Sequence, residues 1–296
     1  MEWREDMCIV SGSYQAIDGH PARTLVELWC RARAGHSVLL LVEGLRPYID
    51  VAQPGRPKPA AEAAESLEFL RQTNEVMEIA EPVDKWTPLG MKPHWRVYVR
   101  QPFLVRGLRR RIESEWEVSS ADILFVQRLL LDADLGPHIS AGGKILWAGE
   151  RAPDEIERSS DRVIAAESIR DVGGSGLYPV DLIVHCNISD LERTEPFPAP
   201  FVSFSYDLET SVKYNTILCA AAVIDRAGER TTHEFRGDES DIMEGLTRLV
   251  REEDPDIITG YNIDNFDLPR ILDRSELNSK RSRSNQAAMF GWGRVP

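Results

Sequence analysis

The ten residues FVSFSYDLET, 201–210, constrain the fold more than any other stretch of the chain. Side chains on a strand alternate between faces. A strand here puts Val202, Phe204, Tyr206 and Leu208 on one side, and Phe201, Ser203, Ser205, Asp207 and Glu209 on the other. The first side is a core face. The second ends in two carboxylates, which repel each other unless a cation sits between them.

The residues that follow set an architecture around this strand. ILCAAAVID (217–225) and TTHEFRG (231–237) read as two more strands, with Asp225-Arg226-Ala227-Gly228 as the turn. Residues 241–253 form an amphipathic helix with Ile242, Leu246, Leu249 and Val250 on one face, stopped by Pro255. Residues 257–259, IIT, read as a short buried strand and 260–266 as a loop. A helix then opens at Asp267-Leu268-Pro269, with Asp267 as N-cap and Pro269 in the first turn. Three strands, helix, strand, helix is an α/β order.

The N-terminal half has a different texture. TLVELWCRA and SVLLLVEGL flank Ala34-Gly35-His36 as a hairpin. Residues 53–59 are a proline-rich loop, 60–73 a helix, VMEIAE and HWRVYVR strands, and 104–115 and 123–134 two more helices, the last with Leu124, Gln127, Arg128 and Leu131 at helical spacing. That is an α+β unit. From 144 to 184 the pattern weakens, and 171–176 is a glycine-rich loop without a nucleotide-binding fingerprint. LERTEPFPAP, 191–200, reads as a linker, dividing the chain into domains 1–195 and 196–296.

Composition narrows the class. With 42% hydrophobic and 28% charged residues the 296-residue chain is globular. No apolar run reaches the ~18 residues of a membrane span. The start MEWREDMCIV lacks a signal-peptide pattern, and four scattered cysteines without a CxxC pair point to a reducing cytoplasm rather than a structural zinc site. Asn187-Ile188-Ser189 matches a glycosylation sequon by coincidence in such a chain. A net charge of −13 counts against a broad electrostatic grip on DNA. The exceptions are Arg106, Arg109, Arg110 and Arg111, read as a solvated helix face, and Lys280-Arg281-Ser282-Arg283, read as a flexible end.

Chemistry concentrates at Asp207, Glu209 and Asp267. If the strands run parallel, a strand tip and a helix start meet at their carboxyl ends, where ligands gather. Three hard oxygen donors without His or Cys suit Mg²⁺ or Mn²⁺. Two such ions ~3.5–4 Å apart activate a water and stabilise the leaving oxygen of a phosphodiester. Taken alone, Asp267 reads equally as a helix cap.

FVSFSYDLET and DPDIITGYNIDNFDLPRIL resemble the first two exonuclease motifs of family B DNA polymerases, above all archaeal replicative members, in the right order and about sixty positions apart. VELWCRARAGHSVLLLVEGLRPYIDV, WRVYVRQPFLVRGLRRRI and ADILFVQRLLLDADL are similar to that family's N-terminal domain, so the resemblance covers most of the chain. It implies a 3′→5′ proofreading exonuclease on a ribonuclease-H-like fold. Asp207, Glu209 and Asp267 would then be metal ligands, and Asn262 and Phe266 contacts to the 3′-terminal nucleotides of DNA. The Phe266 ring is suited to base stacking and equally to anchoring the helix start. In archaeal relatives the N-terminal domain holds a pocket that senses template uracil, and Pro47, Pro102, Val105 and Phe125 match it. The family's third exonuclease motif, Tyr-x-x-x-Asp, has no match downstream. Tyr14 to Asp18 fits the spacing by chance, and Asp273 and Glu276 lie too far along the helix to substitute. The polymerase palm, fingers and thumb have no counterpart either. The expectation is an N-terminal polymerase fragment, inactive alone and completed by a second chain. The alternatives are a non-catalytic DNA-binding or assembly module and a minimal stand-alone exonuclease.

Overall fold

The computed structural model describes residues 3–17, 23–55, 67–149, 151–157, 180–282 and 292. The sheets within it organise the chain. In the first, β1 (Trp3–Ile17), β2 (Arg23–Ala32), β3 (Ser37–Glu43), β10 (Leu182–Asn187) and β9 (His138–Ala148) are neighbours in that order, β9 pairs back onto β1, and β11 (Leu191–Arg193) joins β9. The strands therefore close into a ring. Its interior holds Val26, Leu28, Val38, Leu40, Ile139, Leu182 and Val184, all fully buried. The expected hairpin is β2–β3, with Cys30 opposite Val38 and Gly35 at φ 103° in the turn.

Two strands of the ring fall in the stretch where the sequence pattern weakens. β9 contains Gly142-Gly143, and glycine normally lowers strand propensity. Here it is required: a Cβ on Gly143 would run into the His185 carbonyl and stand 2.9 Å from Val184 Cγ1 on β10. The sequon at Asn187 is a cap. Asn187 Oδ1 accepts from Ser189 N–H at 3.2 Å, and Asp190 accepts from Asn187 N–H at 2.8 Å, closing a single 3-10 turn, Ile188–Asp190.

The second sheet comes from the middle of the chain: β4 (Tyr48–Ala52), β5 (Val76–Ile79), β6 (Val83–Thr87), β7 (Gly90–Val99) and β8 (Glu117–Ser119). The spatial order is β5-β7-β4-β8, with β6 on β7. With the short helix α1 (Glu68–Arg71) after β4 and α2 (Leu104–Ile112) after β7, the four strands β4, β5, β7 and β8 form a β-α-β-β-α-β unit, to which β6 adds an extra strand on β7. Ile49, Val51, Trp95 and Val97 face Leu67, Leu70, Leu108 and Ile112 in its core. Of the helix expected over 60–73, only its last turns lie among the described residues. β6 was not foreseen, because Pro82, Pro88 and Pro93 punctuate the segment. Its Lys85 and the β7 residue Lys92 are held by Asp50 and Glu117, each at 2.7 Å. The helix α3 (Phe125–Asp132) buries Phe125, Arg128 and Leu129, and leaves Leu124 and Leu131 exposed.

The third sheet is built from β12 (Val202–Thr210), β13 (Ile217–Arg226), β14 (Glu229–Arg236) and β15 (Ile257–Thr259), in the order β14-β13-β12-β15. β13 and β14 join through Ala227 and Gly228, both at positive φ, and Asp225 Oδ1 accepts from Gly228 N–H at 2.9 Å. Helix α4 (Glu239–Glu253) packs over β13 and β14 and buries Ile242, Leu246, Leu249 and Val250, as its periodicity predicts, in one core with Val202, Phe204 and Leu208. β15 is the edge strand, so Ile257 is 44% exposed rather than buried. Helix α5 (Asp267–Ser282) takes in 280–282, where the sequence reads as a flexible end.

A buried ion network joins the first sheet to the third. Arg31 donates from Nε and Nη2 to Asp256 at 2.8–3.0 Å, from Nη2 to the Asp254 carbonyl at 3.0 Å, and from Nη1 to the Gly35 carbonyl at 2.9 Å. Asp256 also accepts Val202 N–H at 2.9 Å, fixing the start of β12. Beside it Arg151 bridges Asp181 and Asp254 at 2.9 and 3.2 Å.

Candidate functional site

The acidic site grows out of a gap in hydrogen bonding. β12 pairs with β13 along its length, but with β15 only over Ser203–Ser205, in parallel. Beyond Ser205 its outer edge pairs with no strand among the described residues. The chain leaves β15 against that edge. A Cβ on Gly260 would lie 2.6 Å from the Tyr206 carbonyl, so only glycine fits. Asn262 adopts φ 55°, and its carbonyl accepts the N–H groups of Asn265 and Phe266, both at 3.1 Å. This turn delivers Asp267 to the open edge, where its Oδ1 accepts Leu208 N–H at 3.1 Å.

Leu208 lies between Asp207 and Glu209, so all three acidic residues gather about one backbone position. Asp207 and Glu209 are exposed and Asp267 is 3% exposed. Burial pushes the Asp267 carboxyl above its usual range, and the Asp207 charge adds to that, against the opposing Leu208 bond. Asp267 is not the N-cap the sequence implies. The first helical bond runs from Arg270 N–H to the Phe266 carbonyl, so Phe266 caps and Asp267 is the first helical residue. Its carboxylate is thereby released from capping to the strand edge. Phe266 keeps a 41% exposed ring, with the Arg270 guanidinium 5.7 Å from its centroid, and Tyr261, which sequence reasoning passed over, is 94% exposed in the same loop.

No three or more His, Cys, Asp and Glu side chains among the described residues are drawn tightly enough together to hold a metal ion. The donor chemistry nevertheless fits one. The corner offers only hard oxygen ligands, and burial, with a smaller push from the Asp207 charge, disfavours the bare Asp267 carboxylate.

A second site lies in the N-terminal half. Pro47, Pro102, Val105 and Phe125, far apart in sequence, all line one cleft of about 530 Å³. Its walls include residues the sequence did not single out, Tyr14, Tyr48 and Arg128. Tyr14 meets Phe125 edge-on at 5.5 Å. Arg128, 3% exposed, lies 3.8 Å over the Tyr48 ring, and Tyr48 donates to Asp132 at 2.8 Å. Burial, reinforced by that bond, pushes the Tyr48 phenol up to about 12, so it stays a neutral donor. Arg106 and Arg109 of α2 stand at the rim. Arg109 is paired with Glu113 and Arg111 with Glu75, so half of the basic face is neutralised locally.

A central antiparallel meander with a parallel edge strand is the strand order of a ribonuclease-H-like fold. Its lineage is specific: residues 179–294 match the exonuclease domain of DNA polymerase family B, and the chain carries that domain. The chain is 23% identical over 302 residues to the DNA polymerase delta catalytic subunit of Oryza sativa subsp. japonica, covering 83% of this chain and 25% of that protein. It is 37% identical over 117 residues to the delta catalytic subunit of Caenorhabditis elegans, covering 38% and 9% of the two. A DNA polymerase of Archaeoglobus fulgidus is 29% identical over 181 residues, covering 61% and 20%. In fold, 93% of the chain superposes on 32% of the family B DNA polymerase from the archaeon Pyrobaculum calidifontis, with a TM-score of 0.66 and 20% identity. The chain thus spans about a quarter to a third of the proteins it matches along most of its own length. Eukaryotic and archaeal relatives stand side by side, so the archaeal leaning of the motifs is not singled out.

Proposed function

We propose that this chain is the N-terminal part of a DNA polymerase, with a proofreading 3′→5′ exonuclease corner on the third sheet and a template-strand pocket in the N-terminal domain. Asp207, Glu209 and Asp267 are the residues that would hold Mg²⁺ or Mn²⁺, once drawn closer than they stand here, and the ion would supply the polarisation a phosphodiester needs for attack by water. Asn262 shapes the loop that receives a 3′ end, and Phe266 stacks on a terminal base. The cleft of Pro47, Pro102, Val105 and Phe125 admits a flat, unpaired uracil, with Arg106 and Arg109 toward the flanking phosphates. The observation that carries this reading is the Asp267–Leu208 bond, which brings the third acid to the tip where the other two already stand.

Thermal unfolding in a Mn²⁺ titration tests it. Ligand at 100 times its Kd stabilises the native state by about 2.7 kcal/mol. The wild type gains stability with Mn²⁺, and Asp207→Ala and Asp267→Asn do not. A wild type indifferent to Mn²⁺ sinks the reading. The 296 residues carry two of the family's three exonuclease motifs and no palm, so we further propose that they neither extend a primer nor trim DNA unaided. Nucleotide incorporation by these residues alone refutes that. The open spacing of the acids favours one other reading, a non-catalytic DNA-binding module. In that case Asp207→Ala leaves DNA binding intact or improves it.

A further inference from the structure

Helix α5 opens with a cation that holds no anion. Arg270 stands one turn into the helix, four residues after Phe266 and three after Asp267, the two spacings that make neighbours on a helix surface. Its backbone N–H closes the first helical bond, to the Phe266 carbonyl at 3.0 Å. Its guanidinium lies over the Phe266 ring, 5.7 Å from the centroid. Beyond that ring the half-buried side chain has no hydrogen bond or ion pair among the described residues, and its Nε is shielded from water without an acceptor. A guanidinium nitrogen taken from water and given no acceptor destabilises a fold. The nearby acids do not use the charge either: Asp207, Glu209, Asp264 and Asp267 form no ion pair among the described residues. An arginine at an acidic corner that pairs with none of its carboxylates is open to an anion brought from outside. The planar fork of the guanidinium suits phosphate oxygens. The Phe266 ring, with a cation over one face, is still 41% exposed.

We propose that Arg270 is a DNA-binding residue: it pairs with a phosphate next to the base that stacks on Phe266, and backs that ring from its other face. One helical turn then carries both halves of a nucleotide contact, a ring for the base and a fork for the phosphate, the two chemistries that single-strand sites combine. In a chain of net charge −13, a local cation at this corner offsets the repulsion a strand meets on approach. The inference rests on the proposed stacking role of Phe266 and involves no metal ion.

The test is binding of a short oligothymidylate with a 5′ fluorescein to the full chain, read by anisotropy in EDTA from about 50 to 200 mM salt. Each phosphate neutralised on a single strand contributes about 0.7 to the slope of log affinity against log salt. Arg270→Gln is expected to bind more weakly with a slope shallower by about 0.7, at unchanged Tm, while Arg270→Lys keeps the wild-type slope. Phe266→Leu weakens binding and leaves the slope alone, which tests the stacking role by itself. An Arg270→Gln slope equal to that of the wild type overturns the proposal while leaving the stacking role standing. Failure of Arg270→Gln to fold marks a structural arginine and overturns it as well. A wild type that does not bind the oligothymidylate removes the phosphate contact and the stacking role together.

Discussion

Replacing Arg31 with methionine tests the energetics of the join between the sheets. The guanidinium makes five hydrogen bonds, to Asp256, the Asp254 carbonyl and the Gly35 carbonyl, with its side chain 4% exposed and that of Asp256 fully buried. Methionine keeps much of the stem's packing but takes the cation away from the buried Asp256 carboxylate, which also accepts Val202 N–H. Breaking a buried pair from one side costs about 3–5 kcal/mol, because an uncompensated charge stays inside. At roughly 2.1 cal/mol/K of unfolding entropy per residue, a chain of 296 residues loses about 5–8 °C of Tm. Scanning calorimetry measures this directly, and Arg31→Met/Asp256→Asn, which removes the buried charge, recovers most of the loss. No measurable change in the single variant would show that the network carries no net stability and that apolar packing alone holds the sheets together.

Two further outcomes follow from geometry already described. Gly143→Ala pushes a methyl into the β10 backbone and lowers stability by about 1–3 kcal/mol, readable as a lower urea midpoint. Asp50, 2% exposed, has a carboxyl held below its usual range: burial opposes this, but the bonds from Arg96 and Lys85 outweigh it. Its contribution is present above the unfolded-state pKa of about 3.9 and is lost as pH falls through its lower folded value. Asp50→Asn therefore flattens the acid limb of a stability–pH curve, and an unchanged slope would refute the assignment.

What the sequence reveals depends on how local the cause is. The β12–α5 segment is legible because each element carries its own period: alternation in FVSFSYDLET, helical spacing from Ile242 to Val250, and a glycine and asparagine turn before Asp267. Strand direction suggests that Asp207, Glu209 and Asp267 approach one another, but the Gly260 close approach and the Leu208 bond that bring Asp267 to the strand edge leave no mark in the local pattern. β6, β9 and β10 are obscured because prolines and Gly142-Gly143 answer to neighbouring strands rather than to their own. The cleft is half legible. Its prolines and Phe125 lie in stretches with a recognisable family resemblance, whereas Tyr14, Tyr48 and Arg128 come together only when three separate elements pack.

The closure of the first sheet also governs how the chain emerges from a ribosome. β3 finds its second neighbour only when β10 arrives, with Val38 opposite Leu182, about 140 residues later. The β-α-β-β-α-β unit between them is complete by Ser119 and is able to fold first. Through that interval the SVLLLVE strand waits with one apolar edge bare. Translation that stalls before Asn187 leaves it open to pairing with other nascent chains, so aggregation during synthesis peaks just short of that length and subsides once β10 has docked.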